Sequence, residues 1–392
     1  MAMASTLGAP SWNPFRCGGT ALPVNLLVMA KAIAIALLLT NHVRLLPDPF
    51  LPFVPGLDRI PPLLFQRTLQ VLFVASAVGL LLNRSVRVSA LVLGMTMILS
   101  VVASKAYYGN NKTFCGFILF LTSLYQPGQD PWMLRLQLVL VYFGASTNKL
   151  LDADWRSGVF FNNWAVNRLH QPLYIALTSV VPAMLLAKAV SWFTIATELG
   201  LSVILLMRRL FPLGIWLSVL LHSGMLLFTG STFTMFFYAM TASMLVFVRW
   251  PEGPIIVIYD GDCGFCMKSK NLIERFDLEN MFRWKPYQSG AGRPFGISDI
   301  DANRRLYLII GDKIYSGFRA LKMIVLFNPV SYLVTYALLA APGSGDSKFR
   351  NILVAVLLIV FSPLFVPVGE AAYAMVARNR YKLSANSTCR IG

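Results

Sequence analysis

"IIVIYDGDCGFCMKSKNL" occupies residues 255–272, and its reading decides what the C-terminal third of the chain is. Five apolar or aromatic residues lead into an Asp-Gly-Asp turn, and two cysteines follow at a spacing of one helical turn. The pattern predicts a strand at 255–259 and a helix over 263–276, with Asp262 as N-cap. A cysteine in the first turn of a helix meets unpaired N–H groups and the positive end of the dipole, which favour its thiolate. Asp260 and Asp262 are negative and close, and they oppose that effect. Cys266, one turn on, is placed to attack a mixed disulfide at Cys263 and release the partner. The stripe Cys266, Ile273 and Phe276 is expected to pack the helix on a sheet and leave Cys263 at its exposed end. A metal half-site and an inert structural pair are the competing readings; no second CxxC or nearby His pair accompanies the motif.

Downstream, the pattern predicts strands at 281–287, 305–310 and 313–315 and a helix at 317–327. A β-α-β unit followed by a β-hairpin and a helix is the thioredoxin-like order. Two apolar helical stretches follow at 329–340 and 351–366. Pro363 and Pro367 interrupt the second, which is expected to lie against a bilayer or a helix bundle. "YDGDCGFC" resembles the signature of the DCC family of thioredoxin-like thiol-disulfide oxidoreductases. "IYSGFRAL" (residues 314–321) is similar to that family's middle, and "AAYAMVARNRYKLSANSTC" (residues 371–389) to its closing segment. The resemblance implies a CxxC active site at Cys263 and Cys266, and the apolar stretch at 351–366 is an insertion relative to that family.

Upstream of residue 250 the chain is of another kind. Of 392 residues, 56% are hydrophobic and 13% charged, and the mean hydropathy is +0.63. Soluble domains carry about 25% charged residues, so the balance points to a multi-pass membrane protein. Apolar stretches follow one another at 21–40, 62–82, 86–104, 113–125, 131–148, 182–207, 211–229 and 233–248. The expected architecture is therefore a polytopic α-helical membrane bundle of about eight spans, followed by a small α/β thioredoxin-like domain. The expected division is a tail at 1–20, a bundle at 21–250 and the redox domain at 251–392. Residues 152–181 carry Trp155, Trp164 and Tyr174, which suit short helices at headgroup level. The net charge of +17 fits basic helix ends facing anionic lipid, and no basic patch interleaved with aromatics points to nucleic acid. The tight "NRSVR" and "MRRL" clusters favour cytoplasmic termini in what is expected to be a bacterial cell membrane.

Charged groups within spans are costly, so each is a candidate site. Glu198 and His222 lie mid-span, Lys31 lies near the centre of the first span, and Lys149 ends the fifth. A proton-handling site and plain internal pairing account for them equally well: Glu198 with Lys31 or His222, Lys149 with Asp152 or Asp154. "STNKLLDADWRSG" (146–158), "HSGMLLFTGSTFTMFFYAM" (222–240) and "NNKTFCGF" (110–117) resemble segments of vitamin K-dependent γ-carboxylases and their bacterial relatives, the HTTM family. Leu150 stands where that resemblance puts the base lysine, with Lys149 its neighbour, and Lys112 stands in place of a histidine. The large lumenal peptide-binding domain is absent. The resemblance implies a pocket for a quinone-like or lipid-like molecule near Lys149, Glu198, His222 and Lys112.

The leading expectation is a membrane-integral thiol-disulfide oxidoreductase acting on a thiol or disulfide protein substrate, anchored by the bundle or coupled through it to a quinone. A carboxylase-like membrane enzyme modifying a peptide or lipid, with Lys149 or His222 as base and the dithiol auxiliary, is a second. A non-catalytic assembly factor with the CxxC as a redox-sensitive latch is a third.

Overall fold

The computed structural model of the chain describes residues 12–46, 59–104, 107–230, 232–341 and 348–380. Residues 1–11 of the tail and 381–389 of the closing resemblance, with Cys389, lie outside them. The long N-terminal helices are α1 (Val24–Leu39), α2 (Pro62–Leu81), α3 (Val86–Ala103), α4 (Asn110–Ser123) and α5 (Trp132–Leu151). The mixed segment folds as short helices, α6 (Ala153–Ser157), α7 (Val159–Asn163) and α8 (Pro172–Thr178). Long helices resume with α9 (Ala183–Ile204), α10 (Phe211–Thr229) and α11 (Thr234–Ser243).

Eight spans are not what helix length and composition support. Among the described residues four helices are long and apolar enough to cross a membrane: Pro62–Leu81, Val86–Ala103, Ala183–Ile204 and Arg208–Thr229. A fifth arises only if two C-terminal helices, bent by 71° against each other, are taken together. The helices of the first, fourth and eighth expected spans are too short, and α5 carries Arg135, Gln137 and Lys149 along its length.

The shortfall has a physical reason. A helix that is apolar all round belongs in an interior, and 12 of the 16 residues of α1 are buried. It is walled by α2, α4 and α11, so its core is protein and not lipid. Close packing recurs between α3 and α4. A Cβ at Gly94 would lie 2.7 Å from the backbone N of Phe120 and 2.9 Å from the carbonyl of Gly116, so the two helices meet only because residue 94 has no side chain.

Lys31 is fully buried in α1, yet its amine is satisfied. Helical side chains lean towards the N-terminus, and Lys31 Nζ donates to the carbonyls of Pro14 at 2.7 Å and Arg16 at 2.6 Å. The expected Lys31–Glu198 pair does not form. Asn83 Nδ2 donates to the same Arg16 carbonyl at 3.0 Å, and Cys17 N–H donates to the Glu279 carboxylate. The tail thereby ties α1 to the C-terminal unit. Burial pushes the Cys17 thiol up to about 12, which leaves it a protonated packing group.

The C-terminal unit follows the expected element order. Strands β1 (Ile255–Tyr259), β2 (Phe282–Pro286), β3 (Tyr307–Ile310) and β4 (Lys313–Ser316) form one sheet in the order β2-β1-β3-β4. β2 is parallel to β1, β3 is antiparallel to it, and β3 and β4 are an antiparallel hairpin. The helices are α12 (Gly264–Phe276), α13 (Asp299–Arg304), α14 (Gly317–Leu326), α15 (Pro329–Ala340), α16 (Lys348–Phe361) and α17 (Val366–Asn379). Ile255, Val257, Phe282 and Leu308 pack with Ala320 and Ile324 of α14, while Ile258 and Ile309 pack on the other face with Ala302 of α13. Helix α13, capped by the Ser298 hydroxyl, stands where a polar loop is expected. α15 packs on α1, where Tyr238 donates to the Leu339 carbonyl, and α16 packs on α10. The apolar stretches after residue 328 thus complete the bundle, as expected for 351–366.

Gly94→Val is expected to lower stability by about 1–3 kcal/mol through overpacking of α3 on α4. Thermal unfolding in detergent measures this, and an unchanged midpoint would contradict the close approach.

Candidate active site

The Asp-Gly-Asp turn is built from one carboxylate outward. Asp260 follows β1 and is buried. Its Oδ1 accepts the Asp262 N–H at 3.1 Å and the Gln288 amide at 2.9 Å, and its Oδ2 accepts from Arg380 at 3.0 Å. Gln288 also donates to Asp262 Oδ2 at 3.1 Å and accepts the Gly261 N–H at 3.1 Å. Arg380 further donates to the Asn303 side-chain oxygen at 2.9 Å and to the Asn303 carbonyl. A Cβ on Gly261 would sit 2.9 Å from that of Pro286, so only glycine lets the turn lie against β2.

Cys263, not Asp262, is the N-cap of α12. Its Sγ accepts the Cys266 N–H at 3.3 Å, the sulfur counterpart of a serine cap. Asp262 is drawn off to Gln288. The two cysteines are free thiols, and their exposure is the reverse of that expected: Cys263 is fully buried and Cys266 partly open. In the helix stripe, Ile273 packs on the sheet core, while Phe276 is exposed.

Cys266 faces a cavity of about 60 Å³, walled by Phe265, Leu306, Tyr373 and Val376 and bordered by Arg305 and Arg380. Burial pushes its thiol well above the usual range, and the hydrogen bond and charge of Cys263 add to the shift. The pair therefore has one sulfur at a helix N-terminus and one held as the thiol.

The bundle residues form a second cluster, in part. Lys149 Nζ meets both oxygens of Glu198, at 2.9 and 2.7 Å, and lies 5.2 Å above the Trp155 ring. Asp152 instead caps α6, accepting the Asp154 N–H at 2.8 Å. His222 Nε2 is 2.8 Å from the Tyr142 hydroxyl, which is also 2.6 Å from Ser218 Oγ. Tyr142 and Ser218 were not legible as site residues. Their signal is spacing: Tyr142 is seven residues before Lys149 on α5, and Ser218 one turn before His222 on α10. Lys112 is not brought to them; it donates to the Tyr107 carbonyl at 2.7 Å and lies 3.9 Å above that ring.

Helix rise separates the two clusters. Arg135 of α5 donates to the Val246 carbonyl, close to where the chain enters β1, and Lys149 lies about 21 Å farther along the helix. Phe211 packs on Phe247, and His222 lies about 16 Å farther along α10.

The dithiol thus stands at the start of α12, within a parallel β-α-β crossover. Residues 257–352 match the DCC1-like thiol-disulfide oxidoreductase family. Residues 125–250 match the HTTM domain, so the two regions stand in the order expected. No curated protein and no solved structure matches the chain significantly. The DCC1-like match takes in the dithiol, the sheet and α13 to α15; the HTTM match takes in Lys149, Glu198, His222, Tyr142 and Ser218 but not Lys112. The apolar helices and the HTTM match mark a membrane protein, and residues 257–352 are similar to the DCC1-like thiol-disulfide oxidoreductases.

The raised Cys266 thiol has a kinetic signature. In the reduced protein its alkylation rate is expected to climb with pH past about 9 without levelling, because a thiolate is required and an ordinary thiol is half ionised near 8.5. A plateau reached by about pH 10, where an ordinary thiol is almost wholly ionised, with the Cys266 peptide followed by mass spectrometry, would contradict the shift. In the HTTM region, Glu198→Gln leaves the Lys149 charge buried without its partner and is expected to cost about 3–5 kcal/mol. Adding Lys149→Met should recover most of that in thermal unfolding; an additive loss would show that the two do not act as a pair.

Proposed function

We propose that the chain is a membrane-integral thiol-disulfide oxidoreductase whose reacting groups are Cys263 and Cys266. The observation that carries this reading is the capping geometry. The Cys263 sulfur sits on the Cys266 N–H at the N-terminus of α12, where negative charge is favoured, while Cys266 keeps its proton.

The Cys263 thiolate attacks one sulfur of a partner disulfide, forming a mixed disulfide and expelling the other sulfur as a thiolate. Cys266 then loses its proton to solvent and attacks the Cys263 sulfur. The Cys263–Cys266 disulfide forms and the second partner thiolate leaves; two electrons have passed to the partner. The same steps in reverse oxidise a partner dithiol. Asp260 and Asp262 act here as positioning groups: Asp260 holds the turn through Asp262 N–H, Gln288 and Arg380, which supports orientation of Cys263 over proton transfer.

The division at residue 250 follows from the same reading, with α15 and α16 of the later part packing back on the bundle. A quinone-like or lipid-like molecule in the bundle is its finer form. Lys149 and His222 lie about 16–21 Å along α5 and α10 from the residues that contact the chain just before β1, which favours a carrier that diffuses within the membrane over direct contact with the dithiol. The engagement of Lys149 by Glu198 weighs against a free lysine base, and so against a peptide- or lipid-modifying enzyme.

Reduction of a protein disulfide by the purified chain tests the reading. Cys263→Ser is expected to lower the rate about 100-fold, and Cys266→Ser to trap a mixed disulfide visible on non-reducing gels. His222→Ala is expected to change the rate less than about threefold. Full activity in both cysteine variants would sink the oxidoreductase assignment.

A further inference from the structure

The wall over Cys266 comes from far along the chain. α17 packs on α14 at a point where Gly317 has φ +60° and a Cβ would lie 2.7 Å from the Glu370 carboxylate. Gly369 lies equally close under the Phe318 ring. The helix is then fastened at three levels. Glu370 accepts the Arg319 N–H at 3.2 Å, the Tyr373 hydroxyl accepts the Leu306 N–H at 2.8 Å, and Arg380 reaches Asp260 and Asn303. Between these fastenings Tyr373, Val376 and Ala377 close the cavity against Phe265 and Cys266. Cys263 beneath is fully buried.

A cavity of about 60 Å³ has room for a few water-sized groups, since one water needs about 10–15 Å³ of such space. A group of a few heavy atoms fits it; a disulfide flanked by polypeptide does not. The Arg380 fastening also differs from the other two. Its acceptor, Asp260, is the carboxylate that fixes the Asp-Gly-Asp turn, so α17 cannot leave without loosening the turn that buries Cys263. On the approach side, α17 begins after a break at Pro363–Phe365 and carries Pro367 in its first turn, which marks off 366–379 as a separate rigid piece. Its outer face shows Val368 and Met375, more than half exposed.

We propose that α17 sets the size of the reaction partner admitted to the dithiol: latched by Arg380 on Asp260, it admits a small thiol-reactive group at Cys266 and excludes a protein disulfide until the latch opens. This rests on the oxidoreductase reading for its purpose, though not for its test. The latch is a buried charge pair, with side-chain exposures of 8% and 2%. Removing one member strands the other charge, which favours the open arrangement that rehydrates it.

The test compares one chemistry at two sizes on the full-length reduced chain in detergent. Iodoacetamide and an iodoacetyl-polyethylene glycol are reacted with it, and modification of Cys266 is followed by mass spectrometry. In the unaltered chain the bulky reagent is expected to react at least about tenfold more slowly than the small one, after correction for their rates with free cysteine. Arg380→Gln is expected to raise the bulky rate about tenfold and the small rate less than about threefold. Equal corrected rates in the unaltered chain, or an unchanged ratio in Arg380→Gln, would overturn the proposal. Should Arg380→Gln fail to fold, hydrogen exchange of the unaltered chain decides: α17 amides exchanging about tenfold faster than those of β1 support a latch that opens locally, and equal protection overturns it. Labelling reads access and not turnover. A chain with an intact size filter and no disulfide reduction would therefore defeat the oxidoreductase reading while upholding the filter.

Discussion

The buried carboxylate of Asp260 is the constraint on which the redox unit is built. It has taken up an amide N–H of its own turn, the side chain of Gln288 and the guanidinium of Arg380. An ionised carboxylate in such a place costs several kcal/mol unless its lone pairs are met, so the three partners are a condition of the fold as well as a convenience of the site. Because two of them come from distant stretches, just after β2 and at the end of α17, the turn before Cys263 is assembled only when both are in place. The dithiol geometry is thus the product of a whole unit closing on one charge.

The same economy governs the bundle. Its buried ionic groups are matched locally: Lys149 with Glu198, and Lys31 with two tail carbonyls. Neutral polar groups form the chain Ser218, Tyr142, His222. None of these residues is in hydrogen-bond contact with the dithiol, and helix rise puts them deep in the bundle or towards its far end.

Much of this was legible in the sequence, and the limits are instructive. The β-α-β-β-α order could be read because strand runs, turn residues and the helix start are local signals, each within a dozen residues. The charged members of the bundle cluster could be named because Glu198 and Lys149 are conspicuous in apolar surroundings. Their pairing could not: Glu198 was expected on Lys31 or His222 and Lys149 on Asp152 or Asp154, and only packing of α5 on α9 brings Lys149 to Glu198. Tyr142 and Ser218 escaped because a phenol or hydroxyl in a span draws no attention until its partner is known. The wall over Cys266 comes from a helix about 100 residues away, and no window around the motif contains it. The count of eight spans is supported for four among the described residues, because hydropathy registers an apolar stretch without fixing how much of it is one unbroken helix.

The burial of α1 has a consequence for how the chain is made. α1 leaves the ribosome well before one of its walls, α15, which lies about 300 residues later. At roughly 5–20 residues per second, some 15–60 s pass before that wall exists. For that interval a helix designed for a protein interior, with a lysine at its centre, must be sheltered by something other than its own fold. Biogenesis of this chain therefore makes a demand on the insertion machinery that its finished structure no longer displays.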